Sequence, residues 1–207
     1  MQKGLKLQNV RLTLGGTLLL SVDAAVAPGE VLTIMGPSGS GKSSLLAYIA
    51  GFLDRDFSAV GTVILDNADV TGLPAEQRRI GLLFQDPMLF PHLTVIGNLL
   101  FGLPPGVIDR RARAQSALIE AGLEGFGNRD PATLSGGQKA RVALMRLLLS
   151  EPNAVLLDEP FSKLDANLKD EIRILVFARL KDRRLPGLLV THDQADANAA
   201  GGRVIRI

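Results

Sequence analysis

The chain has 207 residues, of which 46% are hydrophobic, so it is long enough to bury a substantial core and too apolar to be disordered. Its net charge is only +2, its basic residues are dispersed and its aromatic content is 4%, which together argue against a nucleic-acid surface. The absence of cysteine excludes disulfides and thiolate metal sites. No signal-peptide pattern and no run of about eighteen apolar residues occurs, so we expect a soluble chain that reaches a membrane only through a partner.

Short strands dominate the sequence as far as residue 84. Apolar or alternating runs, interrupted by turn residues at 15–16 and 28–29, predict antiparallel strands first and buried strands later. The predicted strands lie at residues 5–10, 17–22, 31–35, 61–66 and 80–84. A helix is predicted at residues 43–50, and a polar turn at residues 73–79. This part of the chain therefore predicts a sheet with one early helix.

Residues 36–43, with the sequence GPSGSGKS, match the phosphate-binding pattern G-x-x-x-x-G-K-[ST] at every specified position. The glycines let backbone N–H groups approach phosphate oxygens, and the start of the following helix adds a partial positive charge. Lys42 is expected to reach the β- and γ-phosphates, and the Ser43 hydroxyl to bind Mg²⁺. A chance match in a flexible loop is the alternative, and the order strand, loop, helix argues against it. The predicted nucleotide contacts are Gly36, Pro37, Ser38, Gly39, Ser40, Gly41, Lys42, Ser43 and Ser44.

The pattern becomes helical between about residues 86 and 150. Helices are predicted at residues 94–101, at residues 109–121 and from Gly136 onward, with breaks between them. Buried parallel strands at residues 154–157 and 188–191 then flank a helix at residues 166–181. We therefore predict one α/β domain over residues 1–207, with a helical subdomain inserted at about residues 86–150.

Two acids, Asp158 and Glu159, end the predicted strand at residues 154–157. Because open α/β sheets bind ligands at the carboxyl ends of their strands, Asp158 is a candidate Mg²⁺ ligand and Glu159 a candidate for polarising an attacking water. Taken alone, the pair fits equally well two acids that merely cap a strand. His192 follows another strand at the same predicted edge, although a lone histidine there is more often a surface or structural residue.

The long helix has an unusual start. Ser135 and Gln138 form the pattern of a capping box. Gly136 and Gly137 lie in the first turn, where each can cost up to about 1 kcal/mol relative to alanine. Glycine is favoured there if an anion must approach the backbone N–H groups, so we predict an anion-binding helix start.

Taken together, these motifs resemble the complete motif set of the ATP-binding-cassette (ABC) ATPases, in the family's order. The set consists of the phosphate loop, Gln85 and residues 134–138, 156–160, 162–165 and 191–193. The resemblance covers nearly the whole chain and implies a P-loop NTPase fold with a mixed β-sheet core, an N-terminal antiparallel β subdomain and the helical insertion. Residues 89–95, 98–102 and 164–168 further resemble the ATPase subunits of bacterial importers of small solutes, such as thiamine, iron, sulfate, sugars or polyamines.

The resemblance also implies a role for each motif residue. Gln85 would contact Mg²⁺ and the attacking water and relay their state to a membrane partner, and His192 would contact the γ-phosphate. Ser135 and Gly137 would cap the γ-phosphate held by a second copy of the chain, and Asp165 would lie across the dimer contact. The implied catalytic residues are Glu159, His192, Lys42 and Gln85, and the implied metal ligands are Ser43, Gln85 and Asp158.

The implied assembly is a head-to-tail homodimer that holds two ATP molecules with Mg²⁺. It would bind integral-membrane permease subunits, together with a solute-binding protein, at the cytoplasmic face of the inner membrane, and it would not bind nucleic acid. Two features depart from the family pattern. Residues 11–16 lack the aromatic residue that usually stacks on adenine, so we predict Leu14 in that place, with Leu12 as the alternative. The chain ends at Ile207, so we expect none of the regulatory domain that many importer ATPases carry.

Three other functions remain open at this stage. An efflux or lipoprotein-release ATPase would share every nucleotide motif. A DNA-maintenance ATPase of the same superfamily is disfavoured, because the segment between Ser43 and Leu134 has no heptad run that would form a coiled coil. A regulatory ATP binder without hydrolysis is disfavoured by Glu159 and His192.

Overall fold

Two β-sheets organise the protein. The computed structural model describes residues 3–207, apart from the side chain of Asn167. The strands are β1 (Leu5–Leu14), β2 (Thr17–Val26), β3 (Val31–Met35), β4 (Phe57–Leu65), β5 (Ala68–Asp69), β6 (Ile80–Leu83), β7 (Ala154–Asp158), β8 (Gly187–Thr191) and β9 (Val204–Arg206). One sheet is antiparallel with the order β2-β1-β4-β5, and the other has the order β6-β7-β8-β3-β9. In the second sheet, β3 is parallel to both β8 and β9, and β7 is parallel to β8.

Seven helices and one short 3-10 turn at Pro131–Thr133 complete the part of the chain that the structure describes. The helices are α1 (Lys42–Ala50), α2 (Ala75–Arg78), α3 (Val95–Gly102), α4 (Arg110–Glu120), α5 (Gly136–Leu149), α6 (Ala166–Asp182) and α7 (Gln194–Ala200). Within residues 3–207, no helix combines the length and the apolar character needed to cross a membrane.

The chain divides into two compact units. The first comprises the described residues up to Leu82 together with Asn153–Glu159 and Phe177–Ile207, and so contains the antiparallel sheet and most of the second sheet. The second comprises Leu83–Pro152 and Pro160–Val176, and is mainly helical. The predicted division, one domain with a helical insertion at about residues 86–150, stays a prediction. The second unit differs from that insertion because it also contains residues 160–176.

The central strands of the second sheet are buried on both faces, which explains why they are apolar. Every residue of β3 and β8 is buried, as expected for parallel strands covered on both sides. The helix α1 packs against this sheet, with Leu45 and Ile49 in one cluster with Ile34, Leu156 and Leu188. This packing fixes the start of α1 at the carboxyl end of β3.

A buried amide organises the second unit. Asn98 of α3 is fully buried, and its Oδ1 accepts from the Phe90 N–H at 2.8 Å and from Arg146 Nη1 at 3.2 Å. Its Nδ2 donates to the Phe90 carbonyl at 3.1 Å, and Arg146 Nη2 donates to the Pro87 carbonyl at 3.1 Å. These bonds hold the loop that follows Gln85 against α3 and α5.

Most predicted elements are present, but several bounds and short elements differ from the predictions. β4 begins at Phe57 instead of residue 61, and the predicted turn at residues 73–79 contains the single-turn helix α2. The helix α7 and the strands β5 and β9 were not predicted. Each of these elements is too short, or too rich in alanine, to show a hydrophobic period.

Candidate nucleotide-binding site

The phosphate loop connects β3 to α1, and its glycines have separate structural causes. A Cβ at Gly36 would lie 2.7 Å from Cγ1 and 2.8 Å from the carbonyl oxygen of Ile207, so no side chain fits there. Gly39 and Gly41 have φ angles of 82° and 86°, in the left-handed region that glycine adopts without strain. Gly41 is also the N-cap of α1. The backbone therefore presents the start of a helix, where N–H groups have no intrahelical partner.

Lys42 lies inside this loop. It is only 6% exposed, and its Nζ donates to the carbonyl oxygens of Pro37 at 2.6 Å and Gly36 at 3.0 Å. The Ser40 Oγ lies 3.5 Å from the same Nζ. The three ammonium donors are thus directed at oxygens of the loop, which places a positive charge at the centre of the predicted phosphate site.

Ser43 and Asp158 meet beneath the loop. The Ser43 Oγ donates to Asp158 Oδ1 at 3.0 Å, although the two residues are far apart in sequence. Burial raises the pKa of the Asp158 carboxyl, the hydrogen bond from Ser43 opposes this shift, Glu159 adds to it and Lys42 opposes it. Desolvation is the largest cause, so the ionised carboxylate lacks part of the stabilisation that it would have in water. A cation at this position would restore that stabilisation.

Glu159 and His192 form a second pair. The Glu159 Oε1 lies 3.1 Å from Nδ1 of His192, and the histidine side chain is 65% exposed against 26% for the glutamate. Glu159 has a φ of 44°, in the left-handed region that is uncommon for a residue with a side chain. Its N–H donates to the Val190 carbonyl at 2.9 Å. Such backbone strain is frequent at functional sites, where the surrounding hydrogen bonds maintain it.

The sheet order brings these residues together. The strands β7, β8 and β3 are parallel neighbours, with Asp158 beside Val190 and Met35 beside Thr191. Their carboxyl ends therefore lie at one edge, where Asp158 ends β7, Glu159 and His192 come after their strands and α1 begins. The structure thus places in one cluster predicted site residues that come from three separate segments of the sequence.

The hairpin between β1 and β2 lies on the same unit. Leu14 is at the end of β1 and is 41% exposed, whereas Leu12 is fully buried in the core. The alternative position for an adenine contact, Leu12, therefore has no free side-chain surface. Leu19 of β2, which was not among the predicted site residues, lies beside the loop, with its Cβ 3.3 Å from a Cβ built on Gly41. A single leucine within an apolar strand gives no sequence signal of such a contact.

The remaining predicted residues belong to the second unit. The capping box is present, because the Ser135 Oγ accepts from the Gln138 N–H at 3.3 Å and the Gln138 Oε1 accepts from the Ser135 N–H at 3.0 Å. The two glycines differ. A Cβ on Gly136 would make an ordinary contact of 3.7 Å with Leu164, whereas one on Gly137 would overlap the side chain of Leu168. Packing against Leu168 therefore explains Gly137, whereas the predicted cause was the close approach of an anion.

Asp165 and Gln85 also lie in the second unit. The Asp165 Oδ1 accepts from the Leu168 N–H at 3.1 Å, so this carboxylate caps the start of α6. Because Leu168 also contacts Gly137, the starts of α5 and α6 lie side by side. Gln85 is exposed just after β6. The roles of Gln85, Asp165 and the Ser135 segment at a nucleotide stay predictions.

The nucleotide-binding geometry agrees with the comparison with known families. The family model described as "ABC transporter" matches residues 19–162, which is more than half of the chain. The chain belongs to the ABC transporter family. This membership confirms the predicted function as an ATP-binding and ATP-hydrolysing subunit linked to transport, while the roles of single residues stay predictions.

Three curated relatives and one solved structure illustrate the membership. The chain is 47% identical to the uncharacterized ABC transporter ATP-binding protein YnjD of Escherichia coli, over 88% of this chain and 85% of YnjD. It is 42% identical to the thiamine import ATP-binding protein ThiQ of Jannaschia sp., over 97% of this chain and 87% of ThiQ. It is 40% identical to the Fe(3+) ions import ATP-binding protein FbpC of Rhizobium etli, over 96% of this chain but only 56% of FbpC.

The structural comparison confirms the predicted fold class. The dimeric structure of a post-hydrolysis state of the ATP-binding cassette MJ0796, bound to ADP and Pi, has a TM-score of 0.79 to this chain. The sequence identity is 35%, and the match covers 98% of this chain and 94% of the MJ0796 chain. The ABC ATPase fold therefore extends over nearly all of the protein.

Proposed function

We propose that this protein is the ATP-hydrolysing subunit of a bacterial importer of a small solute. The cluster formed by the phosphate loop, Asp158, Glu159 and His192 at one sheet edge carries the ATPase part of this proposal. The import part is supported by the relatives ThiQ and FbpC, whose names state import of thiamine and of Fe(3+) ions.

ATP binds through its phosphates in this proposal. The Lys42 ammonium donates to carbonyl oxygens of the loop that leads into α1, so phosphate oxygens can replace these carbonyls as the acceptors of the Lys42 protons. The N–H groups at the start of α1 would add donors for the same phosphates. Leu14, exposed at the end of β1, is the proposed contact for the adenine ring. An aliphatic side chain offers an apolar contact without the stacking that an aromatic ring would give.

The residues beneath the loop fit Mg²⁺. Ser43 and Asp158 supply two hard oxygen ligands, 3.0 Å apart, and burial of the Asp158 carboxyl favours neutralisation by a cation. Within the described residues, no cluster of three or more His, Asp or Glu could hold a metal by itself. Mg²⁺ is commonly bound through one or two carboxylates together with substrate phosphates and waters. When bound, Mg²⁺ neutralises charge that develops on the phosphates, and Gln85 is proposed as its further ligand.

Hydrolysis is the attack of a water oxygen on the γ-phosphorus, with loss of ADP from the opposite side. Glu159 is proposed to orient and polarise this water and to take its proton, while Lys42 and the loop N–H groups stabilise charge on the transferring group. His192 would contact the γ-phosphate. Because His192 Nδ1 and Glu159 Oε1 lie 3.1 Å apart, both groups could act at the same γ-phosphate.

A second copy of the chain completes the site in this proposal. The helix start at Ser135 would bind the γ-phosphate held by the phosphate loop of the other copy, with Asp165 across the contact. The MJ0796 structure, which matches nearly the whole length of this chain, is dimeric. The Ser135 helix start of each copy would face the phosphate loop of the other copy. The contact would therefore be two-fold and contain two equivalent ATP sites.

The partners are proposed to be permease subunits in the inner membrane, with the ATPase at its cytoplasmic face, and a solute-binding protein. Gln85, exposed just after β6, is the proposed relay to the permease. Purification of the tagged protein from solubilised membranes tests this assignment. Recovery of permease subunits, with a solute-binding protein encoded beside them, supports import, whereas recovery of an efflux or lipoprotein-release membrane subunit contradicts it.

A further inference from the structure

The turn that carries His192 is tied to a buried carboxylate on α7. Asp196 is 3% exposed, and Thr191, the last residue of β8, is 1% exposed. The Thr191 Oγ1 donates to Asp196 Oδ2 at 2.7 Å and accepts from the Asp193 N–H at 3.0 Å. The hydroxyl of Thr191 therefore connects the residue before His192 with the residue after it and with α7.

Packing does not hold the His192 ring, because its side chain is 65% exposed. The distance of 3.1 Å between its Nδ1 and Glu159 Oε1 must then depend on the backbone of residues 191–193. That backbone is held on both sides. Thr191 pairs with Met35 in the sheet, and the Asp193 Oδ1 accepts from the Ala195 N–H at 2.8 Å at the start of α7.

The partner of His192 is fixed to the same strand. The Glu159 N–H donates to the carbonyl of Val190, the residue before Thr191, at 2.9 Å. Glu159 is hydrogen-bonded to Val190, and His192 directly follows Thr191, so both members of the pair are attached to adjacent residues of β8. A change at the Thr191 hydroxyl alters only the His192 side of this pair.

We propose that Asp196 acts through the Thr191 hydroxyl as a positioning residue that keeps His192 beside Glu159. A buried carboxylate and hydroxyl carry a desolvation cost that a pair of apolar residues in the same place would avoid. Their hydrogen bond defines one geometry for the turn, which apolar packing alone would not specify. The effect on ATP turnover rests on the role proposed above for His192, whereas the effect on the histidine ring does not.

The histidine ring itself provides the decisive measurement. The chain has two histidines, so in a His92→Gln background every imidazole resonance belongs to His192. We expect Thr191→Val, which removes the hydroxyl and keeps the branched shape, to move the His192 ring resonances toward those observed in Glu159→Gln. Thr191→Ser, which keeps the hydroxyl, should leave them in place. Asn198→Ala on the exposed face of α7 is the matched control and should also leave them unchanged.

Turnover provides the second measurement. A displaced catalytic group commonly lowers the rate by about tenfold to a hundredfold, so we expect Thr191→Val and Asp196→Ala to lower kcat by that amount. KM should change by less than about twofold, because the phosphate loop is untouched. Thr191→Ser should recover most of the wild-type kcat.

Two results would overturn the proposal. One is a His192 resonance that is the same in Thr191→Val and in wild type, whatever the turnover, because Asp196 would then only stabilise α7. The other is an equal shift in Thr191→Ser and Thr191→Val. If Thr191→Val does not fold, Asp196→Asn is compared with Asn198→Ala by the same criteria. Full turnover in His192→Ala would refute the role of His192 in hydrolysis and leave the ring measurement decisive for the positioning.

Discussion

The backbone of Glu159 has a left-handed φ and is fixed by the hydrogen bond from its N–H to β8. We expect Glu159→Gln to keep ATP affinity and to lower turnover by about 100-fold or more, because the amide preserves the shape of the side chain but cannot take a proton from water. Nucleotide titration and phosphate release measure the two quantities. Glu124→Gln, an exposed change in the second unit, is the control and should behave as wild type. Equal turnover in Glu159→Gln and wild type would remove Glu159 from the mechanism.

Asp158 gives a prediction about pH. Burial raises its pKa in the folded protein, so folding favours the protonated form. The protonated carboxyl therefore contributes to the free energy of unfolding, and this contribution is fully present below the unfolded pKa and is lost as the pH rises through the folded pKa. Above this range the ionised carboxylate therefore destabilises the nucleotide-free protein. We expect Asp158→Asn to have a higher Tm than wild type at about pH 8, and the difference to shrink toward about pH 4. A Tm difference that does not change with pH would contradict this account.

At the scale of single residues, predictability from the sequence depends on whether the signal is local. The phosphate loop was predictable because one short segment contains all of its special residues. The bonds Ser43–Asp158 and Thr191–Asp196 differ in this respect. The first joins distant segments, and it was anticipated only as a shared metal site. The second lies within a few residues, but nothing in the pattern THDQAD distinguishes a buried aspartate from an exposed one.

The start of α5 is an element whose two glycines should respond differently. Gly137→Ala introduces a Cβ into the side chain of Leu168, and overpacking of this kind costs about 1–3 kcal/mol of unfolding free energy. Gly136→Ala has room for its Cβ and should be stabilising by up to about 1 kcal/mol, because alanine favours the helix. Urea unfolding without nucleotide measures both. The double change Gly137→Ala with Leu168→Ala should recover part of the stability that Gly137→Ala loses. Equal effects of Gly136→Ala and Gly137→Ala would refute the packing explanation.

At the scale of elements, the buried strands were the most predictable part of the fold. β3, β7 and β8 are continuous apolar runs because both of their faces are covered. The helix α7 escaped prediction because its sequence QADANAA has no apolar period, and its buried Asp196 and Ala197 resemble exposed residues in composition. The association of residues 160–176 with the helical unit also has no local signal, since it depends on contacts such as that of Leu168 with Gly137.

For the whole molecule, the two compact units divide the predicted ATP contacts between them. The phosphate loop, Asp158, Glu159 and His192 lie in the first unit, and the Ser135 helix start lies in the second. One chain therefore contains two helix starts that are predicted to bind anions. In the proposed dimer each ATP would contact one of each kind, from different copies. ATP should then favour association, and hydrolysis with loss of phosphate should release it.

This shared-site arrangement predicts how turnover depends on protein concentration and on mixing of variants. Specific ATPase activity should rise with concentration in the dilute range, because the active species is a dimer. Ser135→Arg should abolish association and turnover while ATP still binds to the phosphate loop. Lys42→Ala should also be inactive alone. A mixture of the two variants forms heterodimers in which one site keeps both Lys42 and Ser135 intact. We expect this mixture to regain part of the activity, or, if the two sites are strictly coupled, to associate with ATP without turnover. A dilute monomer with full specific activity, together with a silent Ser135→Arg change, would show that one chain hydrolyses ATP without a partner.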